Sequence, residues 1–203
     1  VDNKRIIKIY GNYLSNFYLI ADYEVYVSGY NNNGQLGDGT VTQRTSPIQV
    51  MSDYKVCKIG TGQEHTIFLT TDNKVYTCGR NSEYQCGTGN NTRQATPIQV
   101  LTDYDVIDIF AGLFSSFFLL ANGDMYACGY NNIGQLNTGN TTNLTTPTKI
   151  FSRTDNILKV IPGNYSSNTL FGSFYFGEPN IQDVLIEKTT DLSVRFKLST
   201  NVK

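Results

Sequence analysis

Histidine occurs once in these 203 residues, and the four cysteines form no Cys-x-x-Cys pair. One imidazole without paired thiols does not complete a usual zinc site. No Lys-Ser/Thr follows a glycine-rich segment, which removes a phosphate-cradling P-loop. No Gly-x-Ser-x-Gly elbow and no coherent carboxylate pair is found. No metal, cofactor or catalytic residue is therefore assigned. No apolar run approaches the roughly 18 residues of a membrane-spanning helix. Charged residues make up only 16%, and the net charge is −1. No strong field steers such a chain to nucleic acid or an anionic membrane. The N-terminus, Val1-Asp-Asn-Lys-Arg-Ile-Ile, lacks both an initiator Met and the apolar core of a signal peptide. The chain is expected to be a cut-out piece, with a lost leader left open.

What fills the gap is Asn, Thr, Tyr and Gly, a composition that favours strands and turns over helices. The dominant feature is a repeat with a spacing of 50 residues. Val25-Tyr-Val-Ser-Gly-Tyr-Asn returns as Val75-Tyr-Thr-Cys-Gly-Arg-Asn and as Met125-Tyr-Ala-Cys-Gly-Tyr-Asn. Gln35, Gln85 and Gln135 stay in step, as do Gly39, Gly89 and Gly139, and Pro47, Pro97 and Pro147. A period of this size means one supersecondary unit has been copied. In the second copy Lys55-Val-Cys-Lys-Ile, His65-Thr-Ile-Phe-Leu-Thr and Val75-Tyr-Thr-Cys-Gly read as strands. A fourth, edge strand begins at Pro97. The turn between the second and third strands contains Asn122-Gly123 in the third copy, a strong hairpin signal. Each unit is thus expected to be a four-stranded antiparallel blade, and radial copies of such blades make a β-propeller. Helical solenoids do not fit the period-2 alternation. The absence of Trp removes the Trp-Asp dipeptide of one propeller class, and the absence of Gly-Gly argues against kelch blades.

The residues then match a known family. Ile59-Gly-Thr-Gly62-Gln-Glu-His65-Thr-Ile-Phe-Leu69 resembles the signature of the RCC1 (regulator of chromosome condensation) repeat. Gly29-Tyr-Asn31-Asn-Asn-Gly34-Gln35-Leu-Gly37 resembles its other hallmark, Gly-x-Asn-x-x-Gly-Gln-Leu-Gly. The third copy keeps Gly129, Asn131, Gly134 and Gln135 but has Asn137 for the last glycine. The second keeps Gly79 and Asn81 but has Tyr84 and Cys86 in place of Gly and Leu. Histidine stands only in the second copy, with Ser15 and Ser115 at its equivalents. The resemblance implies an all-β fold of RCC1-like propeller blades in an incomplete ring. Repeats fall at about 5–50, 51–100, 101–150 and, in part, 151–170. A full ring of the family has more blades, so the rest would come from the same parent chain or from another copy. Residues 171–203 read as a linker and β-hairpin. They either supply final blade strands or open a BTB-like domain, which the hairpin faintly resembles.

The repeated Gly and Asn residues read as backbone devices, and His65 as a polar tie within a loop rather than an acid–base group. Tyr10, Tyr13, Tyr18, Tyr30, Phe114, Tyr130 and Tyr165 stand out. Of these, Tyr13, Tyr30, Phe114, Tyr130 and Tyr165, with Arg80, form a candidate protein-binding rim, against the plainer reading of packing between blades. Arg44 and Arg93 also break the polar pattern of their neighbours. By resemblance the protein is an intracellular interaction platform, with guanine-nucleotide exchange on a small GTPase as its sharpest form. Two alternatives stay open. One is a secreted binding or inhibitory propeller, in which the sequons at Asn90, Asn140, Asn143 and Asn164 would be real rather than chance matches. The other is an enzyme centred on His65.

Overall fold

The computed structural model describes residues 4–152 and, beyond them, the backbone of strands lying between 157 and 198. Three antiparallel sheets of four strands follow one another. Blade 1 is β1 (Ile6–Gly11), β2 (Ser15–Ile20), β3 (Val25–Gly29) and β4 (Arg44–Val50). Blade 2 is β5 (Val56–Thr61), β6 (His65–Thr70), β7 (Val75–Gly79) and β8 (Gln94–Val100). Blade 3 is β9 (Val106–Ala111), β10 (Ser115–Leu120), β11 (Met125–Gly129) and β12 (Leu144–Phe151). Each is a meander in chain order, and the described residues contain no helix. Further on, β13 (Ile157–Ile161) pairs with β14 (Gly172–Tyr175), and β15 (Val184–Ile186) with β16 (Phe196–Leu198). The choice between final blade strands and a new domain turns on residues outside the described ones.

Burial follows from stacking. β6 is buried at every position, whereas β2 alternates before its buried end. Blade 2 is covered on both faces by its neighbours, so its middle strand reads as a continuous buried run. Among the described residues blade 1 is covered on one face only, and Ile9, the equivalent of the buried Ile59 and Ile109, is 61% exposed. Phe17, Leu19, Val27 and Leu36 meet Ile59, Phe68 and Cys78 in the first joint. Ile67, Leu69 and Val75 meet Val106, Ile109, Phe118 and Cys128 in the second.

The outer strand departs from expectation. It begins at Gln94, not at Pro97, and proline lies in its middle. The pairing jumps from Thr77↔Ile98 to Gly79↔Gln94, and this irregularity takes up the residue that has no N–H to give. The proline has another task. The loop after β3 closes over the next blade's outer strand, where Gly39 N donates to Ala95 O (3.1 Å) and Gly89 N to Thr145 O (3.0 Å). At Gly37 (φ +72°) an added Cβ would stand 2.9 Å from the Pro97 ring and 3.1 Å from Cys78 Sγ. Only glycine fits both that backbone and that gap. Thr66 Oγ1 completes the clamp by donating to Gln35 O at 2.8 Å, as Ser116 Oγ does to Gln85 O at 2.6 Å.

Candidate functional site: the loop face

The strand ends define two faces. One carries the β1–β2, β5–β6 and β9–β10 turns together with the long loops after β3, β7 and β11. Backbone bonds tie turn to loop in each blade: Tyr30 N to Leu14 O (2.9 Å), Arg80 N to Glu64 O (2.7 Å) and Tyr130 N to Phe114 O (3.0 Å). Residues 12–14, 62–64 and 112–114 therefore share this face with residues 30, 80 and 130. Between the three turns lies a cavity of about 410 Å³, lined by Asn12, Tyr13, Thr61, Gln63 and Leu113 among others.

Five of the six rim candidates lie on this face. Tyr13 is 78% exposed at the cavity edge. The Phe114 and Tyr130 rings pack edge to face, 6.2 Å between centroids. The Arg80 guanidinium lies 5.1 Å from the Phe114 ring centre and pairs with Glu64 at 3.3 Å. Tyr30 is half-buried. Tyr165 lies outside the described residues. Tyr10 and Tyr18 lie elsewhere. Tyr10 is on the edge strand β1 beneath Lys8, and Tyr18 is hydrogen-bonded to Ser28 within blade 1. The other two arginines are spent inside the repeats. Arg44 pairs with Asp38 at 2.5 Å, and Arg93 donates to Asn32 O at 3.0 Å.

The repeated polar residues build the loops that carry this face. Gly29, Gly79 and Gly129 end the third strands. Asn31 Oδ1 accepts from Leu36 N (2.9 Å), while its Nδ2 donates to Asp38 Oδ1, Thr40 O and Thr42 O. Asn81 and Asn131 repeat the pattern. Gln35 and Gln135 accept through Oε1 from the backbone of Asn33 and Ile133 within the same loops, and Gly34 and Gly134 turn those loops with positive φ. Burial pushes the Asp38 carboxyl up, but hydrogen bonds from Thr40, Arg44 and Asn31 outweigh it and hold it below the usual range.

His65 is wholly buried and lies between blades 2 and 3. Its ring lies against the turn, where a Cβ on Gly62 would stand 2.0 Å from Cε1 and 2.8 Å from Gly112 O. Nε2 lies 3.1 Å from Ser116 Oγ. That hydroxyl gives its own proton to Gln85 O, so Nε2 carries the ring proton and donates it. Burial lowers the imidazole pKa to about 4, opposed only by the Ser115 backbone. The ring is shut away from solvent in this structure.

The opposite face holds aromatics that sequence reasoning did not nominate. Tyr54 packs on Tyr76 (4.6 Å) and Tyr104 on Tyr126 (5.3 Å). Burial, then the Tyr54 contact, pushes the Tyr76 hydroxyl up to about 12. The shared 50-residue spacing of Tyr26, Tyr76 and Tyr126 was the available signal. Two tyrosines have left-handed backbone: Tyr23 (φ 64°), where the other copies have Asn73 and Gly123, and Tyr84 (φ 65°), which the repeat already marks as standing for Gly34 and Gly134. Among the described residues no His, Cys, Asp and Glu group could hold a metal, and no helix is long and apolar enough to cross a membrane.

Antiparallel four-stranded blades, locked by a glycine-bearing loop over each neighbour, define a protein of the β-propeller repeat class. The profile of the regulator of chromosome condensation (RCC1) repeat matches residues 22–69, 72–119 and 122–168, and a second RCC1 repeat profile matches 56–85 and 106–135. The chain belongs to the RCC1 repeat family. The first two matched units each straddle two blades, since 22–69 takes β3 and β4 of one with β5 and most of β6 of the next, and 72–119 takes β7 and β8 with β9 and most of β10. No curated protein is similar in sequence. Among solved structures, human WBSCR16 is 19% identical, with a TM-score of 0.67 over 81% of this chain and 45% of that one. Prp20p from Saccharomyces cerevisiae is 21% identical, with a TM-score of 0.68 over 77% of this chain and 41% of that one. Yeast RCC1 (Prp20) bound to Kap60 gives 21%, 0.66, 77% and 40%. The chain thus spans less than half the length of each of these structures, and the likeness is one of fold.

Proposed function

We propose that this chain is part of an intracellular protein-interaction platform whose loop face grips a protein partner. The remaining blades come from the same parent chain or another copy. The observation that carries this reading is that Tyr13, exposed at the cavity edge, shares one face with the packed cluster of Phe114, Tyr130 and Arg80. Large, rigid side chains beside a concavity suit a protein anchor. Prp20p was characterised with its binding to Gsp1p and histones, and yeast RCC1 with Kap60 bound, which supports protein partners for this one. The finer reading is that the partner is a small GTPase and that the loop face opens its nucleotide site, with no covalent chemistry by the propeller. A net charge of −1 gives no support to nucleic acid as the ligand. All four cysteines are free thiols, in keeping with a reducing compartment.

The test immobilises the full-length protein and offers small GTPases with and without nucleotide and Mg²⁺. Retention only after the nucleotide is stripped supports exchange. Retention of other proteins regardless of nucleotide replaces exchange with an adaptor role. Tyr13→Ala combined with Phe114→Ala should weaken capture by at least roughly 10-fold. Undiminished capture moves the site off this face.

One observation favours the secreted alternative: Asn90 and Asn140 are exposed, each turning its Oδ1 to the N–H of the sequon threonine at 2.9 Å. Glycan mass on either asparagine in the native protein would replace the intracellular placement.

A further inference from the structure

The joint between blades 2 and 3 contains a group that the joint between blades 1 and 2 lacks. In the first joint the equivalent of His65 is Ser15, whose hydroxyl stays within its own blade and donates to Tyr30 O at 2.8 Å. In the second joint the His65 ring spans the seam from β6 to Ser116 on β10. From there the chain of bonds runs back to Gln85 O in the blade 2 loop. All three groups are buried.

This chain of bonds has room for one ring proton only. With Nε2 donating, Nδ1 is a lone pair, and it has no hydrogen-bond partner. A second proton would have to sit on Nδ1, placing a full charge where no carboxylate answers it and only the Ser115 backbone offsets the cost of burial. The ring is faced by the Gly62 and Gly112 turns and by Ser115 and Ser116 on β10, with the Gln85 carbonyl beyond Ser116. None of these is charged. The adjoining Glu64 carboxylate is engaged with Arg80 on the loop face. Cys78 on β7 and Cys128 on β11 are the other titratable groups nearby, and burial keeps both as neutral thiols. A buried cation without a partner is relieved by admitting water, and the His65–Ser116 contact that closes the seam is the one such water would part.

We propose that His65 makes the joint between blades 2 and 3 an acid-labile seam, which opens on protonation while the joint between blades 1 and 2 stays shut. The molecule carries its own reporters. Cys128 belongs to the second joint and Cys78 to the first, and both thiols are fully buried. The seam requires no binding partner, so it stands or falls apart from the loop-face reading.

The test measures thiol modification in the full chain by 4,4′-dithiodipyridine, a reagent that stays reactive in acid. Each site is quantified by peptide mass spectrometry and normalised to free cysteine at the same pH. A ring that titrates near 4 when closed and near 6.5 when released shifts the opening equilibrium roughly 25-fold between about pH 7.5 and about pH 5. The ratio of Cys128 to Cys78 modification should rise by about that factor. His65→Gln, which keeps the volume and a donor but cannot be charged, should abolish the rise, as should His65→Ser, the residue type of the other copies. A ratio unchanged with pH overturns the proposal. So does a rise that persists in both variants, and the wild-type ratio decides even if one variant fails to fold.

Discussion

The two described joints between blades are built from the same parts. Phe68 and Phe118 fill the same place, Cys78 and Cys128 lie behind them, and Gly37 and Gly87 let a proline ring close over each. They differ where the joint nears the loop face. The second has His65 against Ser116, and Lys58 paired with Asp108 beside the Phe110 ring. The first has Ser15 bonded within its own blade, and Thr61 Oγ1 donating to Gly11 O. Where copies agree, geometry allows little choice. Where they differ, one joint has acquired ionisable chemistry that the other does not need in order to fold.

Removing a shared part should wound both joints alike. Phe68→Ala and Phe118→Ala should each destabilise by about 3–5 kcal/mol, read as urea midpoints by circular dichroism. Unequal losses would show that the joints are not equivalent in their cores. Gly62→Ala should cost about 3 kcal/mol or more, because its methyl group meets the His65 ring and the Gly112 carbonyl. Adding His65→Ser should recover much of that loss, a strong non-additivity that would be missing if the ring were not the obstacle.

A third prediction concerns acid. The His65 pKa is lowered on folding, so between about pH 6.5 and about pH 4 the unfolded chain binds the proton that the folded one refuses. Stability is therefore full above the ordinary histidine value and falls as pH drops, by about 3 kcal/mol at most from this group. His65→Ser should flatten that part of the curve. An equal acid loss in the variant would place its cause elsewhere. The smallest effect is expected of Lys58→Met, which breaks a part-exposed pair and should change stability by under about 1 kcal/mol, and less at high salt.

Much of this was legible in the sequence because the period speaks for itself. Repeated Val-Tyr-x-x-Gly segments gave the third strands, and Gly-x-Asn with its trailing Gln gave the loops. The outer strand was read too short because Pro97 looks like a beginning, yet the pairing bulges around it and the loop from blade 1 holds it in place. Tyr13, Phe114 and Tyr130 could be nominated as turn-borne aromatics. The packing of Phe114 with Tyr130 and Arg80, and the cavity beside Tyr13, could not, since they depend on how turns and blades are placed in space, which no local pattern records. His65 could be judged structural from its serine counterparts. The blade it touches is set by the stacking of the sheets, which adjacent residues do not encode.

The repeat in the chain and the blade in space are out of phase by half a unit. Two cuts placed a whole repeat apart, anywhere in that frame, leave half a blade on each side, and the two halves are the complements needed to make one. Excision or duplication by unequal recombination would thus subtract or add a complete blade without a matching of breakpoints to sheet edges. For such an array, blade number is a variable that a lineage can change in a single event, while the clamp sequence survives intact at every seam.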